Sequence, residues 1–188
     1  MKKTDRRIQR TQQHLSQALI ALTLETGYEA VSIRDITRRA GIGYATFFRH
    51  YKDKDALLID ILNVFIQELK QLLAQAAEPS PAAEGALIFA HVHQQRDLYR
   101  ILLRGQGTGT ILTHVQEIIA QELLAINAPR SGSPVPPDVA ANHVAAATMA
   151  LIKWWLDHNM PYSPAQMGLI YSELIIRPTQ SIAFTPPP

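Results

Sequence analysis

Between Arg34 and Lys54 the chain gathers cationic and aromatic side chains in a pattern that suits one kind of chemistry. Arg34, Arg38, Arg39, Arg49, His50, Lys52 and Lys54 are interleaved with Tyr44, Phe47, Phe48 and Tyr51. Cations and rings so mixed can neutralise phosphates and meet base edges without making or breaking a bond. Residues 1–54 hold 11 Lys and Arg against 5 Asp and Glu, a net charge of +6, whereas residues 55–188 carry −4. A basic head on an acidic body suits a polyanionic partner for the head alone. The same charges would also suit an ordinary solvated helix end.

Bond-making chemistry finds no such support. The absence of cysteine excludes disulfides, thiolate metal sites and cysteine nucleophiles. His91 and His93 are two apart and so share no helix face, while His114 and His143 are distant in sequence. There is no G-x-S-x-G, no phosphate-binding glycine loop and no paired-carboxylate pattern. No metal, no cofactor and no enzymatic activity are expected.

The elements that must position the cationic cluster read as helices throughout, which makes the fold class all-α. Ile8, Thr11, Leu15, Ala18, Leu19 and Leu22 form one helical stripe, with Gly27 as its stop. Ser32 and Asp35 form a capping box, flanked by Val31 and Ile36 at the positions of a hydrophobic staple. Gly41 ends that short helix, and a second follows over about Tyr44–Tyr51. Two short helices joined by Gly41-Ile42-Gly43 are a helix-turn-helix candidate, though ordinary helical corners share this geometry. Phe47 is the ring best placed to pack on Ile33, Ile36 and Leu57.

Asp53 is expected to cap a long helix through Leu73, stopped by Pro79-Ser80-Pro81. Further helices are predicted over 82–104, with a break near Arg96-Asp97, and over 110–126 beyond the joint Gly105–Gly109. Residues 127–137 read as a loop. Asp138 is expected to cap a helix to Asp157, and Ser163 with Gln166 to open a last helix ending near Arg177-Pro178, before a frayed tail. No leader or membrane span is evident, so a cytoplasmic location without membrane partners is expected.

The run from Val31 to Leu58, through AGIGYATFFRHYKDKDALL, closely resembles the DNA-binding signature of the TetR family, and the match covers about residues 8–60. The resemblance implies a three-helix DNA-binding domain over 1–52, joined to a larger helical domain over 53–188 for ligand binding and dimerisation. It assigns Ser32 and Arg34 to the phosphate backbone and Tyr44, Ala45 and Thr46 to base edges. Arg49, Phe48 and Tyr51 belong to the same recognition surface. His50 and Lys54 stand where the family has phosphate clamps, and Arg6, Arg7 and Arg10 could reach the flanking DNA. Two residues depart from the family pattern. Gly43 replaces a capping serine or threonine, and Phe48 replaces a tyrosine, so a hydroxyl from Tyr44 or Tyr51 would have to substitute.

In the body, the helices over 138–157 and 163–177 are the candidates for pairing with a second copy, because the first is apolar nearly all round. A ligand cavity, if present, would draw on Phe65, Leu69, Phe89, Tyr99, Leu102, Val115, Ile119, Met149 and Trp154, and their character suits a small apolar or aromatic effector. The expected function is a homodimeric repressor that a ligand releases from palindromic double-stranded operator DNA. The alternatives are an activator, an effector-independent regulator, or a helical protein without DNA binding.

Overall fold

The computed structural model describes residues 3–76, 80–104 and 109–185, and side chains within these except those of residues 3–6 and 104. Pro79, the joint at 105–108, the tail beyond Thr185 and the side chain of Arg6 therefore lie outside the described residues. The helices are α1 (Lys3–Thr26), α2 (Ile33–Ala40), α3 (Tyr44–Phe47), α4 (Lys54–Ala74), α5 (Pro81–Gln94), α6 (Arg96–Arg104), α7 (Gly109–Ile126), α8 (Pro137–Asp157) and α9 (Pro164–Tyr171). A π-turn, Ser172–Ile176, leads from α9 into α10 (Arg177–Ala183). Among the described residues no strand forms, and Pro129 and Phe184 share one isolated antiparallel bridge. The all-α reading holds.

The described residues fall into two compact units, one within Met1–Gln67 and Arg100–Ile111, the other within Glu68–Tyr99 and Leu112–Pro188. In the first, Leu15, Leu19, Ile36, Phe47, Leu57 and Leu58 are at most 1% exposed. Each such side chain contributes roughly 1.5–3 kcal/mol by leaving water. Local chemistry fixes where the helices stop. Gly27 has φ +83 and Gly41 has φ +66, and both occupy the left-handed region that a residue with a Cβ enters at a cost. Gly41 then lets its own amide reach the Arg38 carbonyl, and that of Ile42 the Thr37 carbonyl, closing the end of α2.

The second unit is built around an unusually close crossing of α5 and α9. A Cβ at Gly168 would lie 2.4 Å from both the Ala82 carbonyl oxygen and the Ala86 nitrogen. One at Gly85 would lie 2.7 Å from the Tyr171 ring and 2.9 Å from the Gly168 Cα. The two helices therefore touch backbone to backbone. Beside the crossing, fully buried Trp155 donates its indole N–H to the Tyr162 carbonyl at 2.9 Å and meets Phe89 edge-on. His91 is buried as well, with Nδ1 3.2 Å from the Tyr99 hydroxyl. Burial pushes the His91 pKa down, and the Glu68 carboxylate at 4.0 Å opposes that only in part.

In the second unit two helix boundaries differ from expectation. Helix α8 starts at Pro137 with Pro136 at its N-cap, so Asp138 sits in the first turn and supports the dipole instead of capping. The last helical segment does not stop at Arg177-Pro178. The π-turn bonds the Arg177 amide to Ser172, five residues back, and this wider turn carries the chain past a proline that has no amide to offer. The capping box of Ser163 and Gln166 forms as read, with the Gln166 amide donating to Ser163 Oγ.

Two predictions follow from the second unit. Gly168→Ala should lower the melting temperature, at a cost of roughly 1–3 kcal/mol or more because the obstacles are backbone atoms. An unchanged melt would contradict the close crossing. For His91, a lowered folded pKa means the unfolded chain takes up the proton first. The stability tied to the neutral ring is complete above the ordinary value of 6.5 and is lost as pH falls below it. His91→Gln should flatten the pH dependence of the melt between about pH 7.5 and about pH 5.

Candidate nucleic-acid interface

Helix α2 begins on a reciprocal cap. The Asp35 amide donates to Ser32 Oγ at 3.2 Å, and the Ser32 amide donates to the Asp35 carboxylate at 3.2 Å. The Ser32 hydroxyl, which also donates to that carboxylate, then the Ser32 amide and the Arg38 guanidinium hold the Asp35 carboxyl below the usual carboxylate range. Arg39 ties α2 to α1 by placing one guanidinium nitrogen 2.6 and 2.9 Å from the two carboxylate oxygens of Glu25. Gly43 then opens α3 from an extended conformation, its carbonyl accepting from the amides of Thr46 and Phe47. It gives no side-chain cap, as its type dictates.

The α3 helix is only four residues long, shorter than the expected Tyr44–Tyr51, and a turn carries the chain on to Tyr51. Phe47 points inward and is fully buried. Tyr44, Ala45, Phe48 and Arg49 are exposed. Tyr44 is 49% and Phe48 47% exposed, and their rings meet edge to face at 5.2 Å. The Arg34 guanidinium lies 5.9 Å over the Tyr44 ring, within cation–π range. Arg49 donates to the Thr46 hydroxyl at 2.7 Å.

An open cleft of about 500 Å³ lies between α1 and this turn, lined in part by Arg7, Thr11, Gly43, Thr46, Arg49 and His50. Cationic and hydroxyl groups on one concave surface suit an anion such as a phosphate. Arg7 is thus part of the cleft, while Arg10 is exposed on α1 outside it. Thr11 was legible only as a member of the apolar stripe. Its hydroxyl in fact donates to the Arg7 carbonyl, and its side chain lines the cleft.

Two of the expected DNA contacts face the protein instead. Tyr51 is 7% exposed and donates its hydroxyl to Asp60 at 2.6 Å, so it cannot supply the hydroxyl that Phe48 lacks. Burial first, and the Asp60 carboxylate second, raise its pKa. The Lys54 ammonium donates to the carbonyls of Tyr28, Val31 and Glu29 at 2.8, 3.2 and 3.3 Å. Asp53 behaves as read, accepting from the Ala56 amide at 2.7 Å.

The cavity candidates are divided between the two units. Phe65 and Leu102 belong to the first unit, and Leu69, Phe89, Tyr99, Val115, Ile119, Met149 and Trp154 to the second. Trp154 is 42% exposed, stacks on His158 at 4.5 Å and lies near Tyr162. The neighbouring Trp155 is the interior ring, because one residue along a helix turns a side chain by about 100°. Among the described residues no cluster of three or more His, Asp or Glu could hold a metal ion.

Comparison with known proteins decides what carries this surface. Residues 17–61 match the model of bacterial regulatory proteins of the tetR family, and residues 86–177 match that of a transcriptional regulator C-terminal region. The chain belongs to the TetR family. A Bacillus subtilis relative, the HTH-type transcriptional regulator YxbF, is 35% identical over 172 residues, covering 86% of this chain and 43% of the relative. The chain spans between 43% and 65% of the curated relatives it matches. A TetR-family regulator of Syntrophomonas wolfei shares the fold with a TM-score of 0.71 at 17% identity, over 91% of this chain and 95% of that one. NalD of Pseudomonas aeruginosa, the secondary repressor of the MexAB-OprM multidrug efflux pump, does so with a TM-score of 0.64 at 17% identity, over 95% and 98%. These relatives are transcriptional regulators rather than enzymes.

In this TetR-family chain Tyr51 has an internal role. Tyr51→Phe should lower stability by roughly 1–3 kcal/mol, since it strips a hydrogen bond from a part-buried carboxylate. The change is read by thermal unfolding. The salt dependence of any DNA complex should stay as it is in the wild type.

Proposed function

We propose that the chain is a homodimeric repressor that binds a palindromic operator through residues 1–52 and is released by a small apolar or aromatic ligand bound within residues 53–188. The observation that carries the DNA-binding half is the exposed row of Tyr44, Ala45, Phe48 and Arg49 beside a cleft lined by Arg7, Arg49 and His50. In this reading Tyr44, Ala45 and Thr46 meet base edges. Ser32, Arg34, Gly43, Arg49 and His50 hold the phosphate backbone, and Phe48 covers apolar base surface.

Self-association draws on exposed apolar side chains in the second unit. Val139, Ala146, Ala150 and Trp154 recur at helical spacing along α8, and Leu169 and Leu174 are exposed on the segment that follows. Pairing through these elements would set two recognition surfaces about 34–36 Å apart, one turn of the double helix. A ligand that favours another separation would weaken the complex. The apolar and aromatic character of the buried side chains supports the ligand class.

Selection of genomic fragments on the purified chain should enrich a short palindrome. On that site Arg49→Ala should weaken binding and reduce the slope of log affinity against log salt by roughly one per lost phosphate contact. Tyr44→Ala should instead change which bases are preferred at one position of each half-site. Enrichment of no sequence at all would overturn the reading.

A further inference from the structure

At the family's clamp position the structure shows a different use of the side chain. Lys54 is the first residue of α4, and its ammonium has three hydrogens to donate. Three carbonyl oxygens, those of Tyr28, Glu29 and Val31, lie within 2.8 to 3.3 Å of it. The nitrogen also sits 4.5 Å from the centroid of the Tyr28 ring, on a residue only 2% exposed. The Tyr28 hydroxyl in turn donates to Asp55, next to Lys54 in the first turn of α4. Donors and acceptors are matched, and a phosphate could reach this ammonium only by displacing bonds already made.

We infer that Lys54 is a positioning residue for DNA binding: it anchors the link between α1 and α2 to the start of α4 and makes no phosphate contact of its own. The inference rests on the DNA-binding reading above. The anchored carbonyls occupy the stretch between Gly27, which ends α1, and Ser32, which caps α2. The Val31 carbonyl is one peptide from that cap. Lys54 thus sets the entry of α2, which together with α3 presents Arg34 and Tyr44. Its positive charge is spent on carbonyl dipoles inside the head, and loss of that charge should leave the count of neutralised phosphates unchanged.

The test compares the full-length wild type, Lys54→Met and Lys54→Gln on an operator fragment enriched by the wild type, at several salt concentrations. Methionine keeps the length of the side chain and loses every donor; glutamine keeps a neutral donor for the carbonyls. Lys54→Met should lose affinity at least about tenfold with the wild-type salt slope, and Lys54→Gln should recover most of that loss. A slope lowered by roughly one counterion per subunit in Lys54→Met would make the residue a phosphate clamp and overturn the proposal. Equal weakness of the two variants, or wild-type affinity in Lys54→Met, would overturn it as well. Should Lys54→Met fail to fold, the slope of Lys54→Gln alone decides between anchor and clamp. If the wild type enriches no DNA, the DNA-binding reading falls. The anchor is then judged by thermal melting, where Lys54→Met must melt lower and Lys54→Gln must restore much of the difference.

Discussion

Helices as short as α2 and α3 leave most of their amides and carbonyls outside any helical ladder, and everything presented by the head depends on how those groups are satisfied. Eight residues and four residues are too few to hold themselves. Ser32 and Asp35 complete the start of α2, Gly41 its end, and the Gly43 carbonyl the start of α3. Asp53 and Lys54 close the account at the start of α4, one accepting from an amide ahead of it and the other donating to carbonyls far behind it in sequence. Hydrophobic burial of Ile36, Phe47 and Leu57 then locks an arrangement that backbone chemistry has already narrowed.

Those backbone devices were the legible part of the sequence, because each depends on residues within a few positions of one another. The Ser32 box, the Gly27 and Gly41 stops, the Asp53 cap and the Ser163 box can all be read from spacing alone. Side-chain direction was legible where a long amphipathic helix sets it and illegible where it does not. A four-residue α3 carries no period, so nothing local distinguishes exposed Tyr44 from buried Tyr51. The direction of Lys54 is set by carbonyls some 25 residues earlier, which only the folded chain brings to it. Trp154 stands exposed while Trp155 is buried for a related reason: in a helix apolar nearly all round, the pattern does not say which face is inside.

The second unit shows another limit of pattern reading. Gly85 and Gly168 lie inside helices, where glycine ordinarily weakens the element. Here each removes a Cβ that the opposite backbone would strike, and α5 and α9 approach closer than any other residue would permit. A glycine inside one helix does not reveal its counterpart in another, so the pairing is visible only in three dimensions. The same segment then passes Pro178 through a π-turn, a local widening that spacing rules for ordinary helices do not anticipate. That turn continues the helical backbone from α9 into α10, and the exposed residues Leu169 and Leu174 lie along it.

The edge-to-face pair of Tyr44 and Phe48 has a thermal consequence. Its rings stand in water on the free head, and Phe48 has no hydroxyl through which to bond a phosphate. A partner that covers them takes apolar surface out of water, and such an association lowers the heat capacity of the system. The enthalpy of the encounter then becomes more favourable as temperature rises, while the entropy released by ordered water diminishes. Contacts made by cations alone leave no comparable mark of apolar burial. The ring without a hydroxyl makes the occupied surface recognisable by calorimetry as well as by its charges.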